Sequence, residues 1–254
     1  RIGGVNGHGY NLTIGKDFLS DEHGYYGLLF DYGSNTVSGA AGSGEYDSYS
    51  LGLYAGNKNK PGSITGFVSY GLQANKGTAY LPVLGQTAES GYDSKTLGIG
   101  VEYAYDLDYG KPEELWHVSP YAKLNFTHYR QKAFREHGAG VFDRSFGSYS
   151  DNYAEGELGL SFDRSEGTGG YGIRLGYKRI LTGERQLMEV CFAEDECGSL
   201  LPVRSWGEGR NHFVAAAYVR HDFSRKWSAG GSLSGDWSNG GREIGARLDL
   251  AYHF

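Results

Sequence analysis

The chain has 254 residues with 21 Tyr, 12 Phe, 4 Trp and 42 Gly against one Met and five Pro. That bias argues against a helix bundle and for an all-β fold, because aromatics fill pleated surfaces and Gly serves turns and close approaches. A formal charge of −6 without any basic run argues against nucleic-acid binding.

Mean hydropathy is −0.49, and no stretch approaches the roughly 18 apolar residues of a membrane helix. A membrane barrel stays open, because its strands alternate lipid-facing and lumen-facing residues and average out. Arg1-Ile2-Gly3-Gly4 lacks the apolar core of a signal peptide, so the chain reads as a mature or excised fragment.

From the N-terminus, Tyr10, Leu12 and Ile14 alternate with Asn11, Thr13 and Gly15. Tyr26, Leu28, Phe30 and Tyr32 alternate with Gly27, Leu29, Asp31 and Gly33, and Tyr49, Leu51, Leu53 and Ala55 with Ser50, Gly52 and Tyr54. Ile64, Val68, Tyr70 and Leu72 follow, then Leu97, Ile99, Val101, Tyr103 and Tyr105 against Gly98, Gly100 and Glu102. Ala122, Leu124 and Phe126 oppose Tyr121, Lys123 and Asn125, and Leu158, Leu160 and Phe162 oppose Glu155, Glu157, Gly159 and Ser161. Tyr171, Ile173, Leu175 and Tyr177 oppose Arg174 and Lys178, and Phe213, Ala215, Ala217 and Val219 oppose Tyr218 and Arg220. Trp227, Ala229 and Leu233 oppose Ser228, Ser232 and Ser234. The last run sets Ile244, Ala246, Leu248, Leu250, Tyr252 and Phe254 against Gly245, Arg247, Asp249, Ala251 and His253. About eleven strands of membrane-spanning length are visible.

A soluble β-sandwich also alternates. Here, however, the polar face carries charge and Gly repeatedly, as a wet lumen would, and aromatics gather near strand ends like an interface girdle. Connections also alternate in length until the last hairpin, at 238–241. They are short at 19–23, 57–62, 106–115, 164–169 and 224–226, and long at 35–45, 75–94, 131–151 and 181–211. With short turns on the periplasmic side, the last strand runs inward and Phe254 lies at the periplasmic rim. The first visible strand also runs inward, so an even-stranded barrel requires one strand upstream, twelve in all. Cys191 and Cys197 flank an acidic Phe-Ala-Glu-Asp-Glu segment. They either close a short surface loop as a disulfide or remain two thiols, and a lone pair is far from a metal site.

Three motifs resemble the autotransporter β-domain family across nearly the whole chain, residues 1–254. They are Ser50-Leu51-Gly52-Leu53-Tyr54-Ala55-Gly56, the stretch from Ser119-Pro120-Tyr121-Ala122-Lys123-Leu124 through Tyr129 to Phe134-Arg135-Glu136, and the terminal Leu250-Ala251-Tyr252-His253-Phe254. The resemblance implies a twelve-stranded antiparallel barrel in outer-membrane lipid, which anchors an N-terminal passenger and helps export it. It also implies a pore-held linker helix. Neither passenger nor helix is visible, since residues 1–9 carry no helical period. The terminal strand, with Tyr252 and Phe254, further resembles the signal read by the barrel-assembly machinery, a transient partner.

The candidate functional residues are the lumen set Asp31, Glu102, Lys123, Glu155, Glu157, Arg174, Lys178, Arg220, Arg247 and Asp249. The plain reading is mutual pairing, since an unpaired charge in a narrow pore is expensive. The other reading follows from the resemblance: some family members cleave their own passenger in the pore, and Glu102, Glu155 or Glu157 could polarise the peptide bond. His128 and the pair His221-Asp222 read as interface residues; Glu45, Asp151 and His212 are too scattered for a rim protease. No Gly-x-Ser-x-Gly, His-Glu-x-x-His or phosphate-binding loop occurs, so neither enzyme activity nor a cofactor is expected. The alternative function is a stand-alone porin or adhesin whose outer loops bind.

Overall fold

Period-two patterning becomes strand wherever backbone N–H and C=O groups find a neighbouring strand. In this chain each long strand pairs with the next long strand in sequence. The structure, a computed structural model, describes residues 6–20, 23–57, 61–82, 84–109, 116–183, 187–192, 201–204, 209–224 and 226–252. It contains β1 (Asn6–Ser20), β2 (Gly24–Gly39), β3 (Gly42–Asn57), β4 (Gly62–Leu81), β5 (Gln86–Tyr105), β6 (Leu107–Tyr109), β7 (Trp116–Gln131), β8 (Phe134–Arg135) and β9 (Arg144–Phe146). It continues with β10 (Tyr149–Glu166), β11 (Gly169–Thr182), β12 (Leu187–Phe192), β13 (Leu201–Arg204), β14 (Asn211–Asp222), β15 (Trp227–Ser238) and β16 (Arg242–Tyr252).

Eleven long strands form one sheet in the order β1-β2-β3-β4-β5-β7-β10-β11-β14-β15-β16, with the short β6 pairing β7. Every neighbouring pair is antiparallel. Among the described residues the one helical element is a 3₁₀ turn, Gly140–Phe142, and no helix is long and apolar enough to cross a membrane.

The sheet is curled. Polar-face side chains reach over intervening strands: Tyr54 of β3 bonds Asp17 of β1, and Arg174 of β11 reaches Glu102 of β5. Strands lie about 4.8 Å apart, so a contact across three spacings needs a concave wall. The apolar face is therefore convex, and it is bare. Leu248 is 92% exposed, Ile244 72%, Leu158 64% and Ile14 63%, whereas among the described residues the buried apolar ones are only Ala88, Tyr121, Ala139, Ile180, Val190 and Cys191. A soluble sandwich would bury that face, at about 1.5–3 kcal/mol per large side chain. No second layer covers it among the described residues.

Aromatic pairs mark both borders of the apolar band. At the short-turn rim, Phe18 packs on Tyr26 at 6.1 Å, Trp116 on Tyr171 at 5.9 Å and Trp227 on Tyr252 at 4.8 Å. At the other rim, Tyr32 packs on Tyr49 at 5.1 Å and Phe213 on Trp237 at 5.9 Å.

The long connections differ from the sequence expectation. Stretches 35–45 and 75–94 are strand nearly throughout, closed by tight turns between Gly39 and Gly42 and between Leu81 and Gln86. Beyond the apolar band neither face is apolar, so hydrophobic alternation stops while backbone pairing continues. The described parts of stretches 131–151 and 181–211 hold a second sheet, in the order β13-β12-β9-β8.

Placing a charge on the convex face tests its environment. Leu158→Arg is expected to cost about 2–4 kcal/mol of folding free energy in lipid vesicles, as for an arginine near a bilayer midplane, read as a lowered urea midpoint. A surface leucine of a water-soluble protein would tolerate the change.

Candidate functional site

The central charged residues of the concave face pair across strands rather than along them. At its centre lies Arg174. Its Nη1 and Nη2 donate to the two Glu102 carboxylate oxygens at 3.1 and 2.6 Å, Nε is 3.9 Å from Glu157, and the guanidinium lies 3.5 Å from the Tyr121 ring centroid. The Tyr121 hydroxyl donates to Glu157 Oε1 at 2.6 Å. A forked donor facing one carboxylate, with an aromatic face beneath it, is the arrangement in which arginine outperforms lysine.

Glycine makes room for it. The Tyr121 ring lies flat against the wall over Gly159, where a Cβ would collide with its hydroxyl. The same relation holds between Tyr54 and Gly27, which explains why Gly alternates with charge on the polar face.

Toward the second-sheet end, Lys178 pairs with Asp236 and lies 3.8 Å from Glu155. Asp236 Oδ1 is 2.6 Å from His212 Nδ1, and His212 Nε2 is 3.2 Å from the Gly209 carbonyl. Glu155 also accepts from Asn125 at 2.8 Å and Tyr153 at 3.2 Å. At the opposite end, Ser119 donates to Asp106 and Ser161 to Asp163, each at 2.7 Å.

Asp31 accepts from Thr13 at 2.5 Å. Lys123 stands directly opposite both Glu102 and Glu157, yet among the described residues it forms no ion pair. It lines a recess of about 350 Å³ with Arg174, Glu157, Ser234, Asp236 and Glu243. Arg220 and Arg247 lie apart from the central network. They pair locally with Asp222 at 3.0 Å and Asp249 at 2.5 Å, and all four side chains are exposed.

The pairing partners Tyr121, Asn125, Asp236 and His212 stand on the polar parity. That position was their one visible signal in the sequence. Asp236 lies just beyond the stretch whose alternation was legible.

The second sheet is rooted by the Phe134-Arg135-Glu136 motif. Phe134 stacks between Tyr92 at 4.3 Å and Phe146 at 4.4 Å. Glu136, 4% exposed, accepts Arg144 Nε at 2.7 Å and Nη2 at 2.6 Å. His137 exchanges backbone hydrogen bonds with Glu89 of β5, both 2.8 Å. Cys191 is buried and disulfide-bonded, while Cys197 and Phe254 lie outside the described residues. Of the remaining histidines, His128 bonds Asn152 at 2.9 Å and His221 packs edge-on to Phe223 at 5.0 Å. No cluster of three or more potential metal ligands occurs among the described residues.

The family model for the autotransporter β-domain matches residues 1–234. The chain belongs to the autotransporter β-domain family.

This autotransporter β-domain superposes on the translocator domain of NalP from Neisseria meningitidis with a TM-score of 0.80 at 18% identity, covering 98% of this chain and 81% of that one. On the transport unit of AIDA-I from Escherichia coli the TM-score is 0.67 at 13% identity, with 100% and 87% covered. On the β-domain of Bordetella BrkA it is 0.65 at 15%, with 98% and 92% covered. No curated protein matches significantly. The autotransporter β-domain is thus an outer-membrane translocator for export of a passenger.

If Arg174 and Glu102 stabilise the wall as a pair, a double-mutant cycle with Arg174→Met and Glu102→Gln should return a coupling of about 1–2 kcal/mol, since both side chains are only part-buried. Urea unfolding of the folded β-domain measures it.

Proposed function

We propose that the concave face lines a pore that carries the passenger polypeptide, closed by one further strand between β1 and β16. The observation that carries this is the state of the two sheet edges. Eleven strands alternating in direction leave β1 and β16 running the same way, so a single strand of opposite direction pairs antiparallel with both. Hydrocarbon offers no water to unpaired edge N–H and C=O groups, so closure removes a large penalty. The resulting count is twelve.

In this reading the short turns and the C-terminus face the periplasm, the second sheet stands outside the cell, and outer-membrane lipid covers the convex band. The barrel-assembly machinery reads the terminal strand around Tyr252 and Phe254. The chain performs no chemistry of its own and uses no cofactor. Glu102, Glu155 and Glu157 are each engaged as acceptors by Arg174, by Asn125 with Tyr153, and by Tyr121 respectively. That arrangement supports a paired wall rather than a poised general acid.

Sidedness is testable in cells producing the full-length protein with its passenger. A membrane-impermeant maleimide should label Leu84→Cys in intact cells, and Thr168→Cys only after the outer membrane is opened. The reverse pattern would invert every loop assignment. In the same strains, deleting Phe254 should lower the amount of barrel in the outer membrane; undiminished yield would remove the assembly-signal role.

A further inference from the structure

On the convex face, registers align one row across five strands: Tyr49 of β3, Leu72 of β4, Lys95 of β5, Arg130 of β7 and Ser150 of β10. Lys95 and Arg130 are directly opposite one another and exposed. Like charges facing each other across an antiparallel pair repel, and among the described residues neither forms an ion pair. The nearest carboxylate on that face does not relieve them. Asp93, one same-face position further from the apolar band, is held by Lys132, whose Nζ lies 2.9 Å from Oδ2 and whose backbone N–H donates to the Asp93 carbonyl at 3.2 Å. Two cations are therefore left side by side without a counter-charge. They stand at the height where apolar surface ends: below them on the same face come Leu97 opposite His128 and then Ile99 opposite Phe126, with Leu97 38% and Phe126 39% exposed.

We propose that Lys95 and Arg130 form a binding site for the phosphorylated headgroup of a glycolipid in the outer leaflet, its acyl chains lying on Leu97 and Phe126. This rests on the sidedness proposed above for its choice of leaflet. A phosphate monoester carries about −1.5 to −2 charge at neutral pH, which matches two adjacent cations better than the single charge of a phosphodiester. Arginine offers a planar fork for two of its oxygens, and lysine a mobile point charge for the third. Binding would turn a repulsive cross-strand pair into a clamp between β5 and β7, the two strands that also meet the root of the second sheet.

The experiment uses the purified chain in detergent micelles, with native mass spectrometry of four probes: a diglucosamine glycolipid bearing phosphate monoesters, the same lipid dephosphorylated, phosphatidylglycerol, and inorganic phosphate as competitor. The phosphorylated glycolipid should bind, and Lys95→Gln with Arg130→Gln should weaken it about tenfold, the loss of two charge-assisted contacts. Arg242→Gln, on the same rim but distant, should leave binding unchanged. Retained strand circular dichroism shows that the double variant is folded. The proposal is overturned if the double variant binds like the parent, if the dephosphorylated lipid or phosphatidylglycerol binds equally well, or if inorganic phosphate competes at equal concentration. Maleimide labelling at Leu84→Cys reports sidedness separately, so a wrong leaflet and a wrong binding site give different results.

Discussion

Every backbone polar group within the hydrocarbon must be satisfied by the protein itself, and the remaining features of this autotransporter β-domain follow from that constraint. It forces the strands into one continuous antiparallel sheet in which each finds its sequence neighbour, because short hairpins satisfy the ladder at the lowest cost in chain entropy. It then turns the usual logic of a fold inside out. Large apolar residues such as Leu248 and Ile244 point outward from the convex face, and the central charged residues lie on the concave side, while Lys95 and Arg130 mark the border of the apolar band. The few buried residues are mostly polar or small, and none builds an apolar core between layers.

Confinement creates the second requirement. Charges facing a narrow lumen lose part of their hydration, and the wall answers with cross-strand pairs. Arg174 serves Glu102 directly and Glu157 at longer range while resting on Tyr121; Lys178 does similar work between Glu155 and Asp236. The pairs Arg174–Glu102 and Lys178–Asp236 span three and two strand spacings, so they fix curvature as well as charge, whereas Glu157 and Glu155 are reached from the adjacent strand. Glycines such as Gly159 serve the same end, giving an aromatic ring room to lie against the wall instead of projecting into the pore. Among the described residues Lys123 and Glu243, charges of opposite sign that line the recess beside small residues such as Ser234 and Gly245, form no ion pair.

Much of this was legible from parity. Leu97 through Tyr105 alternate with Gly98, Gly100 and Glu102, and both the strand and its lipid-facing side follow directly. The eleven-strand count came from the same signal. What escaped lay where the signal has no physical source. Strand outside the membrane has two wet faces, so 75–94 read as loop although it pairs residue by residue. The second sheet joins two distant connections, and nothing local in Arg144 or Val190 announces that partnership. Individual lumen contacts were equally hidden: Glu102 and Arg174 meet only because the sheet curls, and curvature is a property of the whole wall. The motif Phe134-Arg135-Glu136 was recognised by resemblance alone. Its physical purpose, one ring in a triple stack and one buried carboxylate gripping Arg144, depends on partners that no local pattern marks.

The central claim is that odd-numbered residues of β5 face lipid and even-numbered ones face a wet lumen. Nitroxide scanning of residues 97–105 in vesicles measures it directly. Oxygen accessibility should peak at 97, 99, 101, 103 and 105, and accessibility to a water-soluble nickel chelate at 98, 100, 102 and 104. A profile without period two, or with the two phases exchanged, would contradict the barrel wall described for this chain.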